Sequence, residues 1–186
     1  DTVYMQDGEL HMHKTAQLHS CELEEICPYD ALEHTGMQVD PVTLVEQLLK
    51  DRIFYEESAG GVTFSGGEPL LQAEALYDAL YLLKQKGISV CVDTAGDVEW
   101  KVMEKVASQC DLFLYDIKAY DNSVHQRITG VGNARILDNA RKLAAMHKPL
   151  WIRMVIVKGQ NDDYRDLLDR LTFISSLGAA VKRVDL

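Results

Sequence analysis

The most constraining feature of the sequence is a short apolar run between two glycine pairs, Gly60-Gly61-Val62-Thr63-Phe64-Ser65-Gly66-Gly67-Glu68-Pro69-Leu70. The β-branched and aromatic residues of this run predict a buried strand. Gly66 and Gly67 allow a sharp turn with exposed backbone amides, and Glu68 follows at the carboxyl end of the strand. Pro69 favours the first turn of a helix. A carboxylate beside exposed amides suits a ligand with amino and carboxylate groups, and a simple tight turn is the alternative.

Size and composition predict one domain with a substantial core, because 47% of the 186 residues are apolar. A formal net charge of -10 argues against nucleic acid as a partner. No apolar run is long enough to cross a bilayer, so we expect no membrane partner. Four scattered cysteines do not suggest a disulfide scaffold, and we expect a cytoplasmic protein. The chain starts at Asp1 and stops inside a predicted strand, so we expect a fragment.

Strands and helices alternate along the chain from residue 39 onward. Helical patterns cover residues 39–55, 73–86, 100–108, 133–147 and 162–177, with Asp40 as the first N-cap. Strand patterns cover residues 62–64, 88–94, 112–117, 150–157 and 181–186. This alternation predicts an α/β fold with a parallel sheet and right-handed crossovers. We expect residues 1–38 to be largely irregular.

Polar side chains follow the predicted strands where each strand ends, and in a (β/α) barrel these ends form the reactive face. Each has a simpler explanation alone, since Asp and Thr often cap helices and a Lys near an Asp is usually a surface ion pair. Their position at the same end of successive strands favours a binding site instead. The candidates are Glu68, Asp93, Thr94, Asp116, Lys118 and Arg153.

Five segments in this order resemble the glycyl radical enzyme activating enzymes of the radical S-adenosylmethionine (SAM) superfamily. They are GGVTFSGGEPLLQ from Gly60, DTAG from Asp93, DLFLYDIK from Asp111, HQRITG from His125 and WIRMV from Trp151. The resemblance covers about residues 31–186 and implies a radical SAM partial barrel whose first strand and cluster loop are missing.

The resemblance also implies a role for each candidate residue. Gly66, Gly67 and Glu68 hold the amino group of SAM, and Lys118 pairs with its carboxylate. Asp93, Thr94 and Asp116 line SAM and ligate a monovalent cation, which relieves the repulsion between the carboxylates. Arg153 and Val155 contact the nucleoside.

The implied reaction uses a reduced [4Fe-4S] cluster to cleave SAM. The resulting 5′-deoxyadenosyl radical removes a hydrogen atom from a glycine of a partner, pyruvate formate-lyase or a relative, and flavodoxin or ferredoxin donates the electron. Three thiolates in a C-x-x-x-C-x-x-C loop hold such a cluster, and no spacing in this sequence reproduces that loop. The resemblance places it before Asp1, and a SAM-contacting histidine after Leu186, so we expect this chain alone to be inactive.

The remaining cysteines have separate interpretations. Cys21 and Cys27 lie in SCELEEICPYDALEHTG, which resembles the tail of a ferredoxin-like insert, and two cysteines favour a degenerate remnant over an intact cluster. Cys91 and Cys110 fit buried structural positions.

Two other functions stay open. One is a radical SAM enzyme that acts on a small molecule or a peptide. The other is a non-catalytic α/β module that binds SAM.

Overall fold

A computed structural model of the chain describes residues 3–6, 9–12 and 36–186. Its contacts divide the chain into two units, Asp1–Gln38 and Val39–Leu186. In the first unit, β1 (Val3–Gln6) pairs antiparallel with β2 (Glu9–Met12), although we expected mostly irregular structure there. Cys21 and Cys27 lie outside the described residues, so the insert remnant stays a prediction.

The second unit is built on a sheet of five parallel strands. These are β3 (Gly61–Phe64), β4 (Ser89–Thr94), β5 (Leu112–Asp116), β6 (Leu150–Arg153) and β7 (Val181–Asp185). Each strand pairs with the next along the chain, and the sheet stays open between β3 and β7. The predicted α/β fold with a partial barrel of parallel strands is confirmed.

Seven helices lie in this unit of the described chain, mostly between the strands. They are α1 (Pro41–Leu48), α2 (Arg52–Ser58), α3 (Ala73–Gln85), α4 (Trp100–Ala107), α5 (Asn122–Thr129), α6 (Ala134–Ala145) and α7 (Tyr164–Ser176). Short 3-10 turns occupy Leu49–Asp51, Pro69–Gln72 and Gly178–Ala180. None of the helices that the structure describes is long and apolar enough to cross a membrane.

Two predicted elements differ from the structure. The single helix expected over residues 39–55 is interrupted at Leu49–Asp51, and Ile53 and Phe54 beyond the interruption are 65% and 66% exposed. The apolar period therefore does not correspond to one buried face. The strand expected over residues 150–157 ends at Arg153, because the following residues leave the sheet and Val155 is exposed.

The helices cover one face of the sheet. On β5, Phe113 and Tyr115 are fully buried, whereas Leu114 and Asp116, which alternate with them, are half-buried. Successive side chains on a strand point to opposite faces, and sequential parallel strands with right-handed crossovers place their helices on one side. The core therefore lies between sheet and helices, and Asp116 lies on the opposite, more open face.

Candidate functional site

Strand register brings the predicted site residues to one edge of the sheet. Asp93 of β4 lies opposite Leu114 of β5, and Asp116 of β5 lies opposite Arg153 of β6. Because the strands are parallel, their carboxyl ends form a single edge that carries the first turns of the connecting loops. Glu68 reaches this edge from the turn after β3.

Arg153 bridges the two aspartates at this edge. Its Nη1 donates to Asp93 Oδ2 over 3.0 Å, and its Nε donates to Asp116 Oδ1 over 2.8 Å. A second donor, Nη2, also meets Asp93 Oδ1. Partial burial opposes the charge of Arg153, but its contacts with Asp116 and Asp93 outweigh this effect and raise the pKa of the guanidinium. One guanidinium therefore meets two carboxylates that sequence reasoning assigned to a cation.

Lys118 completes a balanced group of four charges. Its Nζ donates to Asp116 Oδ2 over 3.1 Å, and its side chain remains 33% exposed. Asp93, Asp116, Arg153 and Lys118 together carry no net charge. If a ligand carboxylate takes Lys118, the other three groups keep one negative charge.

The Glu68 carboxylate holds the β3 turn against the end of β4. Its Oε1 accepts from Leu70 N over 3.1 Å and from the Thr94 hydroxyl over 2.8 Å. Its Oε2 accepts from Ala95 N over 3.0 Å. Each carboxylate oxygen has two lone pairs, so Oε2 keeps one acceptor position. Thr94 is buried and turns toward Glu68, away from the face that carries Asp93.

The glycine pair before Glu68 leaves its backbone open to a ligand. Gly66 has a φ of 121°, in a region that only glycine adopts readily, and an added Cβ at Gly66 or Gly67 would meet no atom within 4 Å. Nearby, the Ser65 hydroxyl donates to Asp93 Oδ2 over 3.3 Å. A small ligand can therefore approach the peptide groups of this turn closely.

A cavity of about 430 Å³ lies beside Lys118 and Asp116, toward the ends of β5 and β6. Its apolar wall includes Ile128, Val131, Ile136, Val155 and Val157. Its volume and mostly apolar lining suit a flat organic group such as a nucleoside.

One buried histidine, His125 from the HQRITG segment, also lines this cavity. The Nδ1 atom of His125 lies 2.8 Å from Val131 O. A carbonyl only accepts, so Nδ1 carries a hydrogen; in the tautomer with that single ring hydrogen, Nε2 is an acceptor. Sequence reasoning gave His125 no role, although its motif was recognised.

Three buried polar residues near α7 were also missed by sequence reasoning. They are Asn161, Asp166 and Arg170. Asn161 and Arg170 both donate to Lys118 O, and Asp166 accepts from backbone amides after β5. The i,i+4 spacing of Asp166 and Arg170 is visible in the sequence, but such spacing alone is typical of an exposed pair on a helix and does not indicate a buried one.

The described cysteines do not fit a metal cluster. Cys91 and Cys110 are buried, and burial raises the pKa of both thiols, that of Cys110 to about 12. Among the residues that the structure describes, no three His, Cys, Asp or Glu side chains are placed to hold a metal ion. Both cysteines are structural, as the sequence predicted.

Comparison with known proteins identifies the family. A family model described as the radical SAM superfamily matches residues 26–171, more than half of the chain. The chain belongs to the radical SAM superfamily. Membership of this superfamily implies SAM and a [4Fe-4S] cluster as cofactors, and it confirms the family predicted from the five segments. The described residues fit SAM, but they do not fit the cluster.

Within this superfamily the chain is similar to activating enzymes. It is 43% identical over 140 residues to a pyruvate formate-lyase-activating enzyme from Staphylococcus aureus (strain USA300), which covers 72% of this chain and 56% of that protein. It is 38% identical to a crystallised domain of a pyruvate-formate lyase-activating enzyme from Bacteroides vulgatus ATCC 8482, with a TM-score of 0.64 over 68% of this chain and 79% of that domain. The chain thus spans little more than half the length of the curated relative.

A solved structure of low sequence identity shows a likeness of fold alone. Streptococcus suis SuiB bound to S-adenosylmethionine superposes with a TM-score of 0.65 at 16% identity, over 84% of this chain and 35% of that one.

Proposed function

We propose that the chain belongs to an activating enzyme that generates a glycyl radical on a partner, pyruvate formate-lyase or a relative. The observation that carries this proposal is the 43% identity over 140 residues to proteins of that name. The arrangement at the carboxyl edge of the sheet supports it, because acceptor, cation and apolar cavity lie side by side there. The activity of the whole protein is part of the proposal.

The amino group of SAM binds at Glu68 in this proposal. The open acceptor position on Glu68 Oε2 suits an ammonium group, and the carbonyls of Gly66 and Gly67 supply further acceptors. Glu68 is already fixed by three hydrogen bonds, so little side-chain entropy is lost on binding.

The carboxylate of SAM binds at Lys118, whose ammonium is one-third exposed beside the cavity. Asp116 keeps its ion pair with Arg153 when Lys118 turns to the ligand. The nucleoside lies against Val155 and Arg153, and His125 Nε2 offers an acceptor for its amino or hydroxyl groups. When bound and cleaved, SAM supplies the group that removes the hydrogen atom from the partner's glycine.

A monovalent cation beside Asp93, Thr94 and Asp116 belongs to the same proposal. Its support is the charge balance, since Asp93, Asp116 and Arg153 keep one negative charge once Lys118 serves the ligand. The cation has to share these carboxylates with Arg153. Thr94 offers the cation its backbone carbonyl oxygen, because its hydroxyl already donates to Glu68.

The proposal has three further parts. The protein is cytoplasmic, flavodoxin or ferredoxin donates the electron, and a domain boundary lies after residue 38. Reduced, buried Cys91 and Cys110 agree with a reducing compartment. The cysteines of the sequence do not supply a C-x-x-x-C-x-x-C loop. The proposal therefore names no residue of this sequence as a ligand of the cluster that cleaves SAM.

The first test measures SAM binding to the chain by calorimetry, with Lys118→Met against the unaltered chain. Loss of the charge-assisted contact lowers the affinity for SAM at least about tenfold. Lys101→Met, an exposed lysine on α4, is the matched control and leaves the affinity unchanged. Equal affinities of Lys118→Met and the unaltered chain would remove Lys118 from the site.

The partner is tested by electron paramagnetic resonance on the whole activating enzyme to which this chain is proposed to belong, loaded with its cluster and mixed with pyruvate formate-lyase. A glycyl radical signal supports the activating enzyme, and its absence with competent partner overturns this partner. A non-catalytic SAM-binding module is the second candidate, favoured by the cysteine spacing. It predicts SAM binding without any radical signal from any glycyl radical enzyme.

A further inference from the structure

A buried polar cluster lies beneath the loops that border the cavity. It consists of Asn161, Asp166 and Arg170, which are 2%, 4% and 0% exposed. Burying a charge pair costs more free energy than burying apolar side chains of similar size. Packing α7 against the sheet therefore does not explain these residue types. Their directional contacts do.

Two side chains of this cluster converge on the carbonyl of Lys118. Asn161 Nδ2 donates to Lys118 O over 2.7 Å, and Arg170 Nη1 donates to the same oxygen over 3.2 Å. The main chain at Lys118 is thus held by two donors, one from the β6–α7 connection and one from α7.

The same asparagine fixes the other wall of the cavity. Its Nδ2 also donates to Val155 O over 2.7 Å, and its Oδ1 accepts from Val157 N over 2.6 Å. Arg170 Nη2 in turn donates to the carbonyl of Asn161. Asn161 therefore links the ends of β5 and β6, and Arg170 supports that link.

Asp166 ties the start of α5 to the cluster. Its Oδ1 accepts from Tyr120 N over 2.9 Å and from Asp121 N over 2.7 Å. Its Oδ2 lies 2.8 Å from Arg170 Nε but without the alignment of a hydrogen bond, so these two atoms are paired by charge. Burial lowers the pKa of Arg170 and Asp166 partly offsets this, yet a guanidinium stays charged in proteins.

We propose that Asn161, Asp166 and Arg170 are positioning residues that fix Lys118 and Val155 for the two ends of SAM. Arg170 and Asp166 act on the Lys118 side, and Asn161 acts on both sides. This inference rests on the proposed binding of SAM at Lys118 and Val155. It assigns the cluster to ligand recognition as well as to the stability of α7.

The experiment compares two ligands with the same nucleoside, S-adenosylhomocysteine and 5′-methylthioadenosine, of which only the first has an amino-acid carboxylate. In calorimetry with Arg170→Met, affinity for S-adenosylhomocysteine falls about tenfold, whereas affinity for 5′-methylthioadenosine stays within about twofold. Asn161→Leu, which loses contacts to both walls, weakens both ligands. A general loss of stability would weaken both ligands in both variants.

Arg165→Met, an exposed arginine on the same helix, is the matched control and changes neither affinity. If Arg170→Met does not fold, Arg170→Lys keeps the charge beside Asp166 but cannot reach both carbonyls, and it shows the same selective loss. Unchanged affinity for S-adenosylhomocysteine in a folded Arg170 variant overturns the inference and leaves SAM binding intact.

Amide hydrogen exchange without ligand tests the positioning role of the cluster separately from the proposed SAM site. In the Arg170 variants, amide exchange at Tyr120 and Asp121, whose amides Asp166 holds, is faster than in Arg165→Met, while exchange in β4 and β5 is unchanged. An increase in exchange rate that is the same across the whole chain, or no increase at all, overturns the positioning role. Failure of the unaltered chain to bind either ligand overturns the proposed SAM site, while the exchange data still decide whether the cluster holds these loops.

Discussion

At the residue scale, Arg153 controls the charge balance of the candidate site. Its guanidinium contacts both Asp93 and Asp116, which are nearly buried carboxylates at the ends of neighbouring strands. Two such carboxylates repel each other when both are ionised. Arg153 relieves that repulsion before any ligand binds, and Lys118 is then available for exchange between Asp116 and a ligand carboxylate.

Gly96, which follows β4, gives the first stability prediction. Its φ is 75°, and an added Cβ would collide with the Tyr115 hydroxyl, which is fully buried and donates to Ile136 O over 2.7 Å. We expect Gly96→Ala to lower the free energy of unfolding by about 3 kcal/mol, from strain and overpacking together. Urea unfolding measures this change.

Gly130→Ala is the control for this prediction. Gly130 also has a positive φ, 85°, but an added Cβ there meets no atom within 4 Å. Only the backbone cost remains, about 1 kcal/mol. Equal losses in the two variants would show that Tyr115 moves aside freely.

At the element scale, a buried asparagine holds each of the three connections that follow β4, β5 and β6 at the carboxyl edge of the sheet. Asn139 donates to Gly96 O and Val98 O after β4, and Asn133 donates to Ala119 O and Tyr120 O after β5. Asn161 serves the connection after β6. Irregular backbone has carbonyls without helix or sheet partners, and buried side-chain amides satisfy them. The loops around the site are therefore fixed rather than free.

Helix α7 depends on its N-cap, because this helix carries the buried cluster. The Asp163 carboxylate accepts from Arg165 N over 2.9 Å and from Asp166 N over 3.2 Å. We expect Asp163→Ala to lower the free energy of unfolding by about 1 kcal/mol. Asp169→Ala, on the exposed face of α7, changes it by less than about 0.5 kcal/mol. Thermal unfolding that shifts equally for both variants would contradict the role of the cap.

At the scale of the whole molecule, burial of ionisable groups limits stability at alkaline pH. Burial raises the pKa of Cys110 from 9.0 to about 12, and it raises the pKa of Tyr115 as well. Above pH 9 the thiol ionises in the unfolded chain but not in the folded one. Stability from Cys110 is therefore complete below pH 9 and lost as pH rises toward 12.

We expect the free energy of unfolding to fall in this window by up to about 1.4 kcal/mol per pH unit for Cys110. Cys110→Ala removes this contribution, so its destabilisation relative to the unaltered chain is smaller at pH 10 than at pH 7. Urea titrations at both pH values measure the difference. A destabilisation that does not change with pH would contradict the burial effect on the thiol.

The catalytic prediction also concerns the whole chain. The sequence has four cysteines, and none of their spacings gives a cluster loop. We expect the chain, supplied with iron, sulfide, SAM and dithionite, to form no 5′-deoxyadenosine by chromatography. A cluster-loaded activating enzyme serves as the positive control. Formation of 5′-deoxyadenosine by this chain would show that other residues hold the cluster.

The sequence alone determined the architecture and the edge that carries the site. Alternating strand and helix patterns predicted parallel strands, and parallel strands necessarily bring their carboxyl ends together. Glu68, Asp93, Asp116 and Arg153 were found this way, because position along a strand is a local property of the sequence. Motif resemblance then gave the family and an expected ligand.

Only the tertiary structure decided which partners these residues take. Arg153 contacts Asp93, which is 60 residues away in sequence. Glu68, after β3, accepts a hydrogen bond from Thr94 at the end of the neighbouring strand β4. Arg170 lies buried against the Lys118 carbonyl, and its spacing from Asp166 in the sequence does not reveal that burial. Burial and pairing between distant segments depend on how elements pack, and local patterns contain no information about those distances.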